Sequence, residues 1–379
     1  MSELEIHGEC DSRFAGVREA FEQNFSERGD IGAAVAVTIE GEPVVDLWAG
    51  SADAAGARAW ERDTIVNLYS TGKGVLSLGL HMLADRGLVD IEAPVASYWP
   101  EFAQGSKEGV TVRHVLGHRS GVVGARRLLP EEAKYDWETM TTALAEAEPW
   151  WEPGTRHGYH VWTYGWIIGE IVRRVSGSRV GAFIREEIAE PLGLDFHIGL
   201  TASEQARAAD VVPPSRSPLP EPDVTSIIAM AHNNPPWTFE TANTTEWREA
   251  EIPAGNAHSD ARGLARFYGA LALGGELDGV RLLSSEAIEA ARVLQSEGTD
   301  ATIGVSNRYA LGFQLPSPEL DDPRPETAFG HSGVGGSQAF ADPGSGLGFA
   351  YVMNRIRGPG DVRARTLIEA AYRSIEASA

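Results

Sequence analysis

Apolar residues recur at three- and four-residue spacing near both ends of this chain and through its middle, with short stretches of strand-like pattern between. Phe14, Val17, Phe21 and Phe25 make one stripe, which predicts a helix over Ser12–Phe25. Two strands are expected next, Ala34–Ile39 and Val44–Trp48, around the turn Glu40-Gly41-Glu42. The run Val75, Leu76, Leu78, Leu80, Met82 and Leu83 predicts a buried helix over Gly74–Arg86. Further helices are expected at Trp162–Val175, Val180–Ile188 and Ser259–Leu273. The last has Leu264, Phe267, Tyr268 and Leu271 on one face behind a Ser259 N-cap. Strand patterns return at Tyr309–Leu315, Gln338–Ala341 and Leu347–Met353, and a helix from about Val362 to Ile375 closes the pattern.

Strands at both ends of one chain pair most economically in one antiparallel sheet flanked by terminal helices, with the helical middle as an insertion. The expected class is therefore α/β (α+β) in one domain. An α/β part spans about 12–73 and 276–379, and a mainly helical part spans about 74–275. Pro213–Pro222 is dense in proline and reads as an ordered surface excursion. A cleft is expected where sheet gives way to helices, near residue 73.

Composition narrows the function. Hydrophobic residues make up 42% of the chain and charged ones 23%, as in an ordinary globular protein. Against 32 Lys and Arg stand 54 Asp and Glu, a net charge of −22. Such a chain repels nucleic acid phosphates and anionic membrane surfaces, so neither is expected as a partner. The single cysteine, Cys10, rules out an internal disulfide and a cysteine-rich metal site. No basic-then-apolar leader is visible, and no apolar run nears the roughly 18 residues that span a bilayer. A cytoplasmic protein is expected.

Three segments carry chemistry. Ser70-Thr-Gly-Lys73 puts a serine and a lysine three apart at a helix start, on one face. A lysine carried into an apolar helix must lose its charge or find partners, and as a neutral amine it can take the serine proton. Alone, the tetrapeptide reads as an ordinary helix start, with an N-cap serine and a surface lysine, and the downstream segments decide the matter. The second segment, Pro153-Gly-Thr-Arg-His-Gly-Tyr159, sets a tyrosine just ahead of a predicted helix, where it is either a core phenol or a group projecting into the cleft. The third, Phe329-Gly-His-Ser-Gly-Val-Gly-Gly-Ser337, lets backbone N–H groups approach a ligand, with His331 at the same edge. It runs into a strand pattern, so it is no GxGxxG nucleotide loop.

In this order and spacing the three segments resemble the serine β-lactamase/penicillin-binding superfamily, and within it the class C β-lactamase-like branch called family VIII carboxylesterases. Val112-Arg-His-Val-Leu-Gly-His-Arg-Ser-Gly121 and Asn256…Ala261-Arg-Gly-Leu-Ala-Arg-Phe267 are similarly placed, and the likeness covers roughly residues 12 to 375. It implies a β-lactamase/transpeptidase-like fold and a Ser70 acyl-enzyme with Lys73 and Tyr159 as acid–base groups; which of the two is the base stays open. It also implies an oxyanion hole from the Ser70 and Val334 N–H groups, with His331 and Gly333 lining the substrate pocket. Two positions depart from the class C pattern. Val161 stands where an asparagine holds a substrate amide, and His331 stands where a lysine binds a β-lactam carboxylate. Both departures turn the expected substrate toward a small-molecule ester of small to medium acyl chain. A β-lactamase, D-aminopeptidase, amidase or acyltransferase of the same fold is the alternative. A catalytically silent binding protein would have no need of all three of Ser70, Lys73 and Tyr159.

Among nearby aromatics, Tyr69 and the loop residue Trp237 are the pocket candidates, while Trp162 and Trp166, four apart on one helix, read as core. His114 with His118, and His157 with His160, lack a third ligand or an HExxH pattern, so no metal and no cofactor are expected.

Overall fold

The computed structural model describes residues 4–215 and 219–377. The strands are β1 (Ile6–Cys10), β2 (Gly32–Ile39), β3 (Glu42–Gly50), β4 (Val66–Asn67), β5 (Phe196–Ile198), β6 (Ala257–Ser259), β7 (Glu276–Leu277), β8 (Val280–Arg281), β9 (Ser296–Thr299), β10 (Ser306–Tyr309), β11 (Phe329–Ser332), β12 (Gln338–Asp342) and β13 (Leu347–Met353). Six of them form one antiparallel sheet in the order β1-β3-β2-β13-β12-β11. The two ends of the chain meet at its centre, where Phe349 of β13 lies opposite Val37 of β2.

Every residue of β13 is buried, because both faces of the sheet are covered. The helix Ala261–Ala272 packs on β13 and β2, with Ala265 and Gly269 close against Gly348 and Thr38, and its Leu264, Phe267, Tyr268 and Leu271 are all buried. Each such side chain contributes about 1.5–3 kcal/mol when fully buried. The helices Ala15–Ser26 and Arg363–Glu376 pack on each other, and Tyr372 stacks over Phe340 of β12. Toward the edge, β3 alternates: Val45, Leu47 and Ala49 are buried while Val44, Asp46 and Trp48 are half-buried.

Several expectations shift. The cap of helix Ala261–Ala272 is Asp260, whose carboxylate accepts from the Gly263 N–H, while Ser259 belongs to β6 and donates to the Asp195 carbonyl. An aspartate caps as well as a serine, so the pattern could not choose between neighbours. The expected strand Tyr309–Leu315 stops at Tyr309, since Gly312 (φ +91°) turns the chain. The helix expected over Val180–Ile188 is α-helical to Ile184 and then widens into one π turn, Arg185–Ala189. Of the proline-dense excursion, residues 216–218 lie outside the described residues. Between the sheet strands of the first and last parts run most of the helices, including Lys73–Asp85 and Thr163–Ser176, which pack together behind the site.

Candidate active site

The nucleophile candidate sits on a 3-10 turn, Tyr69–Gly72, that feeds the helix Lys73–Asp85. Tyr69 enters this turn with φ +48°, a strained conformation for a side chain of its size. Its ring is pinned between Trp237 and Phe239, at centroid distances of 5.9 and 6.0 Å. Trp237, 6% exposed, belongs to an aromatic cluster with Trp162, Trp247 and Phe239. Both expected pocket residues, Tyr69 and Trp237, are thus buried in this cluster behind the turn, and neither lines the cleft beside residues 333–336.

Lys73 is fully buried. Its Nζ lies 2.8 Å from Ser70 Oγ, 2.9 Å from the Val161 carbonyl and 3.0 Å from the Ala254 carbonyl. Carbonyls only accept, so two N–H bonds are committed to them. Burial holds the lysine pKa well below its ordinary value of 10.5. In the neutral amine the remaining position is a lone pair, and it faces the Ser70 hydroxyl.

Tyr159 comes from the loop before helix Thr163–Ser176, and its ring covers the Lys73 amine at 4.8 Å from the centroid. Its hydroxyl meets Ser70 and lies 3.5 Å from His331 Nε2. Burial raises the phenol pKa, so Tyr159 keeps its proton. His331 Nδ1 is 2.7 Å from the Ser332 carbonyl, which fixes the tautomer: Nδ1 carries hydrogen and the Nε2 lone pair faces Tyr159. Burial, with the nearby Lys73, pushes His331 down to about 3, so it is neutral.

Val334 lies in a tight turn after β11. The Gly336 N–H donates to the Gly333 carbonyl, with Gly335 at φ +100° as its third residue. That carbonyl points into the turn, so the N–H of the same peptide, on Val334, points out of it. It has no backbone acceptor among the described residues. Ser337 ties the turn to the nucleophile through its Oγ, 2.9 Å from Thr71 Oγ1 and 3.3 Å from the Leu68 carbonyl. A cleft of about 800 Å³ opens beside residues 333–336, lined also by Leu219, Ile356 and Pro359. A groove of similar volume along β1 and β3 contains none of these groups.

The structure therefore brings Ser70, Lys73, Tyr159 and His331 together and ties the turn of Gly333 and Val334 to the Ser70 turn, and of these Gly333 and Val334 line the cleft. Sequence reasoning missed the groups that hold them. Val161 and Ala254 act through carbonyls, which no side-chain pattern reveals. The Ala254 loop is organised by Asn256, whose amide donates to the Trp247 and Ala250 carbonyls and accepts from the Ile252 N–H. His118 packs its ring 4.8 Å from that of Tyr159, and its Nδ1 accepts from the His160 N–H. His160 in turn is bonded to Ser120 Oγ at 2.6 Å. Among the described residues no group of three or more His, Cys, Asp or Glu side chains could hold a metal ion, and no helix is long and apolar enough to cross a membrane.

Comparisons with known proteins bear on the fold and the family. The Beta-lactamase family profile matches residues 19–373. The chain is 37% identical over 367 residues to the esterase/beta-lactamase LipL of Mycobacterium tuberculosis, covering 93% of this chain and 84% of that protein. It superposes on a family VIII carboxylesterase crystal structure with a TM-score of 0.91 at 43% identity, covering 98% of this chain and 100% of that one. A penicillin-binding protein homologue from Caulobacter crescentus gives the same TM-score of 0.91 and identity of 43%, with 98% and 100% of the two chains covered. With the profile matched from end to end of the fold and that relative aligned along nearly the whole sequence, this chain belongs to the Beta-lactamase family.

Proposed function

We propose that the protein is a serine carboxylesterase that cleaves esters of small to medium acyl chain through an acyl-enzyme on Ser70. The observation that carries this reading is Lys73: fully buried, with two donors committed to carbonyls and its third position 2.8 Å from Ser70 Oγ. The opposite shifts of Lys73 and Tyr159 divide the roles, since burial favours a neutral amine and a protonated phenol. Ser70 Oγ attacks the ester carbonyl as its proton passes to Lys73. The tetrahedral oxyanion is held by the Ser70 and Val334 N–H groups, each worth about 100- to 1000-fold in rate. The proton then moves from Lys73 by way of Tyr159 to the departing alkoxide, leaving Ser70 acylated. Water enters, gives its proton back along the same route, and releases the acid as Ser70 regains its hydrogen.

Two observations favour esters over β-lactams. His331 is neutral where a cation would hold a carboxylate, and Val161 offers no amide to a substrate side chain. The Mycobacterium relative is named as both esterase and beta-lactamase, so lactam turnover is the second reading. Ser70→Ala should abolish p-nitrophenyl ester hydrolysis without changing the circular dichroism spectrum, and intact-mass measurement of the native enzyme should find an acyl adduct on Ser70. Turnover retained in Ser70→Ala would refute the assignment.

A further inference from the structure

Tyr159 is gripped by its own peptide from the loop that joins β9 to β10. Both carboxylate oxygens of Asp300 accept the Tyr159 N–H, at 3.0 and 2.9 Å. The Thr302 hydroxyl reaches the Tyr159 carbonyl and Asp300 Oδ1, each at 2.9 Å. From β10 the Tyr309 ring stacks on the Tyr159 ring, with centroids 5.8 Å apart and planes 10° from parallel. Asp300 is 1% exposed and forms no ion pair among the described residues; its other donors are the Thr302 and Ile303 N–H groups. A buried carboxylate compensated only by neutral donors costs stability, and turning this loop does not require one. Its placement therefore calls for another explanation, and the atoms it touches supply one.

We infer that Asp300 and Thr302 are positioning residues that aim the Tyr159 hydroxyl at Ser70, an inference that rests on the acid–base role proposed above for Tyr159. The phenol hydroxyl lies at the far end of a long side chain, so a small rotation of the Tyr159 peptide sweeps it through a large arc. A displacement of 1 Å costs about 100-fold in rate. Holding the two peptide groups that flank the Tyr159 Cα, one by its N–H and the other by its carbonyl, removes that rotation. The Lys73 amine under the ring and the Tyr309 ring on it fix the remaining tilt.

The test is a double-mutant cycle. Asp300→Asn and Thr302→Val are each made alone and with Tyr159→Phe, and kcat, KM and the melting temperature are measured with a p-nitrophenyl ester. Alone, each should lower kcat about 10- to 100-fold with KM nearly unchanged, and Thr302→Ser should restore activity. With Tyr159→Phe present, either substitution should change kcat by less than about twofold. Equal losses in both backgrounds, or wild-type kcat in both single variants, would overturn the inference. If Tyr159→Phe alone keeps wild-type kcat, the role of Tyr159 falls first, a result separable from the other two. Should Asp300→Asn fail to fold, Thr302→Val carries the same cycle.

Discussion

Gly333→Ala probes the oxyanion hole without touching a reacting group. A Cβ at this position would lie 2.4 Å from the Leu68 carbonyl oxygen, 2.4 Å from Ser337 Oγ and 2.7 Å from Thr71 Oγ1, against 3.4 Å for an ordinary contact. The Ser337 hydroxyl can swing aside, but Leu68 is backbone at the entry to the nucleophile turn. The turn after β11 must therefore retreat by about 1 Å. Gly333 lies outside the left-handed region, so the effect is one of contact and not of backbone strain. The Val334 N–H belongs to the adjoining peptide and retreats with it. Misplacing a positioned group by 1 Å costs about 100-fold, and losing one oxyanion donor costs about 100- to 1000-fold. We expect kcat to fall within that span, about 2.7–4 kcal/mol, while KM stays close to the wild-type value. Loosening the Ser337–Thr71 bond should cost about 1 kcal/mol of stability. Steady-state kinetics with p-nitrophenyl butyrate, beside a thermal melt, measures both. A variant that melts as expected but keeps kcat within threefold would show that Val334 does not serve the oxyanion.

The pH profile should carry an acid limb set by Lys73, which works as the neutral amine. Burial lowers its pKa, so activity is present above that folded value and is lost as pH falls through it. Lys73→Arg keeps the charge at every pH and should lower kcat/KM by about 100- to 10,000-fold throughout; a variant that regains rate at high pH would contradict this. His331→Lys places a cation beside Tyr159 where the native ring is neutral. The ratio of nitrocefin to ester turnover should rise about tenfold or more, the worth of one charge-assisted hydrogen bond. An unchanged ratio would detach His331 from substrate choice.

Much of this fold was written in apolar spacing. The run Leu347–Met353 became β13 with its limits unchanged, and the stripe from Phe14 to Phe25 became a helix that ends one residue later. Edge strand β1 escaped notice because Ile6-His-Gly-Glu-Cys10 is largely exposed and polar and so carries no periodic signal. Gly312 was legible as a residue but not as the left-handed corner that ends the strand expected over Tyr309–Leu315. At the site, Ser70, Lys73, Tyr159 and His331, which the structure brings together, were legible because their combination is rare. Asp300, Thr302, Val161 and Ala254 were not, because each works by giving or receiving a hydrogen bond at a peptide group. Any residue has a peptide, and only the folded path says which one arrives.

The pairing of β13 with β2 also fixes when the enzyme becomes competent. Ser70, Lys73 and Tyr159 leave the ribosome long before Val334 and the strands β11, β12 and β13 around it. Contacts so distant in sequence form late in folding. On the mechanism proposed above, a chain without residues 329–353 would hold Ser70 and Lys73 but lack Val334, and β2 would have no partner on one side. Full turnover on that mechanism waits for β11, β12 and β13 to join the sheet.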